Sequence, residues 1–270
     1  MLTFNPTKVV LFLAILAAVI NASAQTWIEE RPEFGNYFKQ YDVAGSFLLY
    51  DLKQDKYLAY DSARCTQRFA PASTFKILNS LVALETGVAP DEHMVLKWDG
   101  VKRERPSWNQ DQDMATAIKN STVWYYQEIA RRIGEKRMRD WITKEHYGNM
   151  DMSGGIDQFW LKCGMKISQE EQIDFLRRLY AGTLHFSKRS MDIVKRMIIL
   201  KDTSAYTLRG KTGWEDRDGK NIGWLVGYLE QNGNVYFYAT NVEAPEPAPE
   251  SFAMARREIT EAILRSLGLL

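Results

Sequence analysis

Three short stretches carry the residues whose types and spacing could do chemistry. Ser73 and Lys76 stand three apart in Pro71-Ala72-Ser73-Thr74-Phe75-Lys76. The run behind them, residues 77–85, is apolar around most of a helical circumference and is closed by Gly87 and Pro90, so it reads as a buried helix. At that spacing a hydroxyl and an amine share one face of the first turn. They also sit at a helix N-terminus, where free N–H groups favour negative charge. Such a pair can activate a serine as a nucleophile. The plainer reading is a capping serine followed by a surface lysine. Ser121-Thr122-Val123 ends a helical run and supplies a second hydroxyl; Lys211-Thr212-Gly213 ends a strand and supplies a second amine. Tyr147-Gly148-Asn149 reads as a loop. Taken singly, these are also a helix cap, a strand end and a turn.

The elements that must position them follow from periodicity. Residues 27–38 read as a short helix. Residues 45–51 and 57–60 read as a hairpin around a turn at 53–55. From 91 to about 200 the pattern is helical and rich in loops, with helices expected over 113–118, 125–133, 135–142, 169–180 and 187–200. Residues 105–109 form one of the loops. Strands return at 206–211, 222–230 and 235–242. The last two are joined by Gln231-Asn232-Gly233-Asn234, where Asn-Gly supplies the positive φ angles of a tight turn. A proline-rich break at 244–249 precedes a final helix at 251–267. Strands at both ends around a helical block predict an α+β fold. Its antiparallel sheet is flanked by N- and C-terminal helices and carries an inserted helical lobe. Residues 25–270 then form a single catalytic domain, with a sheet lobe over 25–65 and 203–270 and a helical lobe over 66–202. The cleft between lobes is the expected site.

The 270 residues carry a formal charge of +1, which argues against a nucleic-acid partner. Residues 1–24 combine Lys8, an apolar run over 9–20 and Asn21-Ala22-Ser23-Ala24. That is the pattern of a cleavable signal peptide, and it predicts a periplasmic mature protein with no membrane attachment after cleavage. The only cysteines, Cys65 and Cys163, read as two partly buried thiols by default; a bridge between them is open. His93, His146 and His185 lack the spacing of a zinc site, so no metal is expected. There is no Gly-x-Ser-x-Gly elbow. Nothing in the apolar pattern decides between monomer and homodimer.

Taken together, the stretches resemble the serine penicillin-recognising enzymes, and among them the class D β-lactamases (oxacillinases). The resemblance rests on Ser73-Thr74-Phe75-Lys76, Ser121-Thr122-Val123, Tyr147-Gly148-Asn149, Phe159-Trp160-Leu161, Lys211-Thr212-Gly213 and Gly223-Trp224-Leu225-Val226-Gly227, in that order, over essentially the whole mature chain. It implies hydrolysis of a small-molecule β-lactam through an acyl-enzyme on Ser73. It further implies that Lys76 is carboxylated by carbon dioxide or bicarbonate to an N6-carboxylysine that acts as general base, with no other cofactor. Phe75, Val123 and Leu161 would form the apolar wall that keeps the amine neutral. Trp160 would hold the carbamate through its indole N–H. Ser121 would pass a proton to the leaving nitrogen, with Lys211 assisting. The N–H groups of Ser73 and Trp214 would form the oxyanion hole. Thr212, Gly213 and Tyr147 would shape the substrate cleft. Arg256 would hold the substrate carboxylate, with Arg257 as the neighbouring alternative. Two other activities share some of these stretches: a penicillin-binding D,D-peptidase and a β-lactam sensor domain.

Overall fold

The computed structural model describes residues 27–162 and 164–270; the expected signal peptide and Cys163 lie outside the described residues. Among the described residues, seven strands form one sheet. They are β1 (Trp27–Glu30), β2 (Ala44–Asp51), β3 (Lys56–Tyr60), β4 (Ile199–Asp202), β5 (Tyr206–Arg217), β6 (Lys220–Gln231) and β7 (Asn234–Pro245). The spatial order is β1-β3-β2-β7-β6-β5-β4, antiparallel except for the β1–β3 pair. Strands from the two ends of the chain therefore meet in the middle, where β2 pairs with β7. The Asn232-Gly233 turn does take positive φ at both residues, 50° and 67°.

The interior strand β6 shows why the sequence there is almost continuously apolar. Trp224, Val226 and Tyr228 face one core, and Leu225 and Leu229 face another. The second core is closed by α1 (Gly35–Lys39) and by the final helix α9 (Phe252–Ser266), which contributes Phe252, Ile259 and Ile263. The first core belongs to the helices between β3 and β4: α2 (Ser62–Cys65), α3 (Lys76–Glu85), α4 (Met114–Lys119), α5 (Val123–Ile133), α6 (Glu135–Lys144), α7 (Gln169–Ala181) and α8 (Lys188–Met197). Helix α3 is buried on every side from Lys76 to Leu84, as its pattern required. Helix α7 opens with a capping box between Ser168 and Glu171. The α+β class is thus the one read from the sequence. No described helix is long and apolar enough to cross a membrane.

Three expectations are corrected. Residues 27–38 are not one helix: Trp27–Glu30 pairs with β3, and the helical turns begin only at Pro32. The helix expected to reach residue 200 stops at Met197, because the Ile198 carbonyl accepts from the Gly210 N–H at 2.8 Å and draws Ile199–Asp202 into the sheet edge. The strand expected to end at residue 211 runs on to Arg217, paired with β6 along its whole length. Among the cysteines, Cys65 is a free thiol, fully buried and pushed up to about 12 by that burial.

Candidate active site

Ser73 does not occupy the first turn of α3. It lies in a 3-10 turn, Ala72–Phe75, that runs directly into the helix. In a 3-10 turn, residues three apart eclipse one another. That geometry brings Lys76 Nζ to 2.6 Å from Ser73 Oγ, to which it donates. Ala72 enters the turn at φ 47°, a left-handed conformation that a non-glycine residue adopts at a cost. Lys76 is completely buried, and its Nζ lies 5.5 Å from the centre of the Tyr126 ring. Burial, with Lys211 and Arg105 nearby, holds the Lys76 ammonium well below the usual lysine range.

Opposite this pair, Ser121 links α4 to α5. Its backbone is also left-handed, at φ 57°. The side chain of the next residue, Thr122, is anchored to Gln112 at 2.6 Å, which fixes the corner. Lys211 Nζ donates to Ser121 Oγ at 3.0 Å and to the Thr212 carbonyl at 3.0 Å. Strand β5 carries Lys211 along the cleft, and β4 pairs with it only as far as Arg209. Gly210 N–H points to the β4 side. The two-residue alternation of an antiparallel ladder then turns the peptide groups of Thr212 and Trp214 toward that same uncovered edge. Gly213 lets the edge close on the nucleophile turn: a Cβ there would stand 2.9 Å from the Pro71 carbonyl oxygen.

Phe159-Trp160-Leu161 comes up beneath the nucleophile. Trp160 is fully buried and stacks on Phe75, ring centres 5.2 Å apart. Its Nε1 is buried and has no hydrogen-bond partner among the described residues. A buried indole N–H ordinarily has one. Leu161 is half-buried against the same core rather than in the cleft lining. Tyr147 departs from its expected place at the cleft: it is buried behind the nucleophile, edge-on to Phe75 at 5.7 Å and to Phe175 at 5.1 Å. Its neighbours explain the Tyr-Gly-Asn pattern as a structural clasp. Gly148, at φ 56°, passes so near the Lys166 carbonyl that a Cβ would stand 2.3 Å from it. Asn149 donates to the Gly164 carbonyl and accepts from the Lys166 N–H, both at 2.8 Å. The loop that delivers Trp160 is thereby tied down at its far end.

The cleft itself is lined by Ser73, Ser121, Val123, Thr212, Gly213, Trp214 and Arg256, all singled out in the sequence. Arg256, projecting from α9, lies over the Trp214 ring at 5.4 Å, and its Nε is buried with no partner among the described residues. Arg257 is exposed and does not line the cleft, which separates the two arginines. Trp108 and Arg105 complete the lining. In the sequence Arg105 is marked only as part of a loop, its one signal being a cation three residues before a tryptophan. Among the described residues no carboxylate lines the cleft. Lys211 is pushed down to about 7, chiefly by burial and then by Arg256, Arg105 and Arg257. Arg256 is pushed down to about 10 by burial, then by Arg105 and Arg257. Crowded cations with no counter-charge make a receptor for an anion. Among the described residues no cluster of three His, Cys, Asp or Glu side chains could hold a metal.

A serine hydrogen-bonded to a buried lysine, a second serine hydrogen-bonded to a second lysine, and a cationic cleft at a sheet edge together make up the candidate site. The family described as the penicillin binding protein transpeptidase domain matches residues 45–267. The chain is 41% identical to "Beta-lactamase OXA-48" of Klebsiella pneumoniae over 93% of its own length and 94% of that protein. It is 44% identical to "Probable beta-lactamase YbxI" of Bacillus subtilis, over 85% of its length and 83% of the relative. The crystal structure of the class D β-lactamase YbXI from Nostoc superposes with a TM-score of 0.85 at 47% identity, covering 89% of this chain and 100% of that one. The chain therefore belongs to the penicillin binding protein transpeptidase family and, within it, to the class D β-lactamases, hydrolases of the β-lactam amide.

Proposed function

We propose that the protein hydrolyses penicillin-type β-lactams through an acyl-enzyme on Ser73, and so confers antibiotic resistance. The observation that carries this reading is the fully buried Lys76 amine at 2.6 Å from Ser73 Oγ. A serine hydroxyl is a weak nucleophile without a base, and an ammonium cannot accept its proton. Burial disfavours the ammonium and so favours the neutral amine, whose lone pair can accept that proton. Ser73 Oγ then attacks the lactam carbonyl as its proton passes to the Lys76 side. The carbonyl oxygen takes the developing negative charge between the N–H groups of Ser73 and Trp214. Ser121 Oγ delivers a proton to the lactam nitrogen as the C–N bond breaks, with Lys211 3.0 Å behind it to restore that proton and favour its transfer. The substrate carboxylate sits against Arg256 and Lys211, whose charges lack a counter-ion in the cleft.

The residues around Lys76 fit its carboxylation. A neutral amine is the form that adds carbon dioxide with loss of a proton, and the orphaned Trp160 N–H is a ready donor for the product. Once formed, the carbamate supplies an anionic general base for acylation and deacylation. Trp160 would hold it, while Phe75 and Tyr126 keep water from the stem of the side chain. Residues 1–24 would direct the protein to the periplasm, where its substrates arrive from outside.

Nitrocefin turnover tests the function. Sustained multiple turnovers are expected; one stoichiometric burst would overturn hydrolysis in favour of a D,D-peptidase or a sensor domain.

A further inference from the structure

The cleft holds one cation more than the shared chemistry of β-lactams uses. A penicillin nucleus carries one carboxylate, and Lys211 and Arg256 are both placed for it on the sheet side. Arg105 is a third cation, brought by a different element: the loop that opens the 3-10 turn Pro106–Trp108 in the helical block. It is exposed at the mouth, and its guanidinium lies 5.2 Å from the centre of the Trp108 ring. That ring is itself held, because its Nε1 donates to the Asn120 carbonyl at 2.9 Å, so the arginine rests on a fixed platform. Arg105 has no ion pair among the described residues, whereas Arg103, two positions earlier, is paired with Asp99 at 2.6 Å. Its field reaches Lys76, Lys211 and Arg256 alike.

We infer that Arg105 is a specificity-determining residue that recognises a second anion, so that the enzyme favours β-lactams bearing a carboxylate on the acyl side chain. The acyl group is the part of a penicillin that varies, and it projects from the opposite side of the scissile carbonyl to the ring carboxylate. A planar guanidinium supported on an indole is suited to a bidentate carboxylate contact. The inference rests on the hydrolase reading above.

The test compares benzylpenicillin with α-carboxybenzylpenicillin, which differ by that one carboxylate, in the wild type, Arg105→Ala and Arg105→Lys. The quantity read is the ratio of kcat/KM for the dianion to that for the monoanion. For an exposed charge pair, Arg105→Ala should lower this ratio about threefold to tenfold, mainly through KM for the dianion. Arg105→Lys should retain part of the preference. Added salt should erode the ratio in the wild type and leave it unmoved in Arg105→Ala. An unchanged ratio overturns the inference, whether both substrates fall together, which would put Arg105 on the shared carboxylate, or neither falls. Wild-type enzyme that turns over neither penicillin would instead overturn the hydrolase reading, and the inference with it.

Discussion

Replacing Trp160 by Phe isolates the one hydrogen bond on which carboxylation of Lys76 would depend. In the unmodified protein the Trp160 N–H is buried without a partner, a state that costs about 1–3 kcal/mol. If Lys76 gains a carboxylate, that N–H acquires a charged acceptor, a bond contributing about 1.5–3 kcal/mol. Trp160→Phe deletes the donor but keeps an aromatic ring against Phe75 and Phe159, which now stand at 5.2 and 4.9 Å. The volume lost is common to the carboxylated and uncarboxylated forms, so it cancels from the affinity for carbon dioxide. The bicarbonate concentration that half-carboxylates the enzyme should therefore rise about tenfold to 150-fold, at 1.4 kcal/mol per factor of ten. Titration with carbon-13 bicarbonate, following the carbamate resonance, reads this directly. Unfolding in bicarbonate-free buffer checks that the variant is folded, and no large loss is expected there, because an orphaned donor has been removed. A folded variant whose midpoint stays within about twofold of the wild type would refute the role given to Trp160, since the predicted bond would be contributing nothing.

Three other perturbations bear on the same cleft. Depleting bicarbonate should lower steady-state β-lactam turnover and re-addition should restore it; indifference would remove the carbamate from the mechanism. Lys211, pushed down to about 7, is charged below that pH and loses its charge above it, so KM for a penicillin should climb from pH 7 to 9, and Lys211→Ala should show a high KM without that limb. A KM flat across that range in the wild type would exclude Lys211 from carboxylate binding. The stability sign is the opposite. Between about 7 and the ordinary 10.5 the unfolded chain binds a proton that folded Lys211 does not, so its burial cost eases as pH rises, readable by denaturant unfolding at pH 7 and 9. Finally, Gly213→Ala would push a methyl to 2.9 Å from the Pro71 oxygen and force β5 off the nucleophile turn. Its kcat should fall by about a hundredfold or more, as for loss of an oxyanion donor, whereas wild-type kcat in a folded Gly213→Ala would refute the close fit.

Much of the fold was legible because its signals are local. The all-round apolar pattern of residues 77–85 and the Asn-Gly turn at 232–233 each depend on neighbours in the chain. The errors fall where a distant partner decides. Trp27–Glu30 becomes a strand because β3 offers it a free edge, and Ile199–Asp202 becomes one because Gly210 supplies a donor. Neither fact is written in the periodicity of the segment itself.

The same division runs through the site. Ser73 and Lys76 are three apart, and any helical turn, 3-10 or α, brings them together, so their pairing survived a misjudged helix start. Lys211 and Ser121 are 90 residues apart, and only the order of the family's motifs joined them before the 3.0 Å contact was seen. Tyr147 was misplaced for the converse reason. A motif reports that a residue is kept near a site, but not whether it faces the substrate or clamps the backbone from behind, and burial against Phe75 and Phe175 puts it on the clamping side. Arg105 belongs to no motif. Its importance comes from what stands opposite it: two cations on the sheet lobe and no carboxylate lining the cleft among the described residues. A charge becomes functional by lacking a partner, and that property belongs to the folded surface rather than to any stretch of chain.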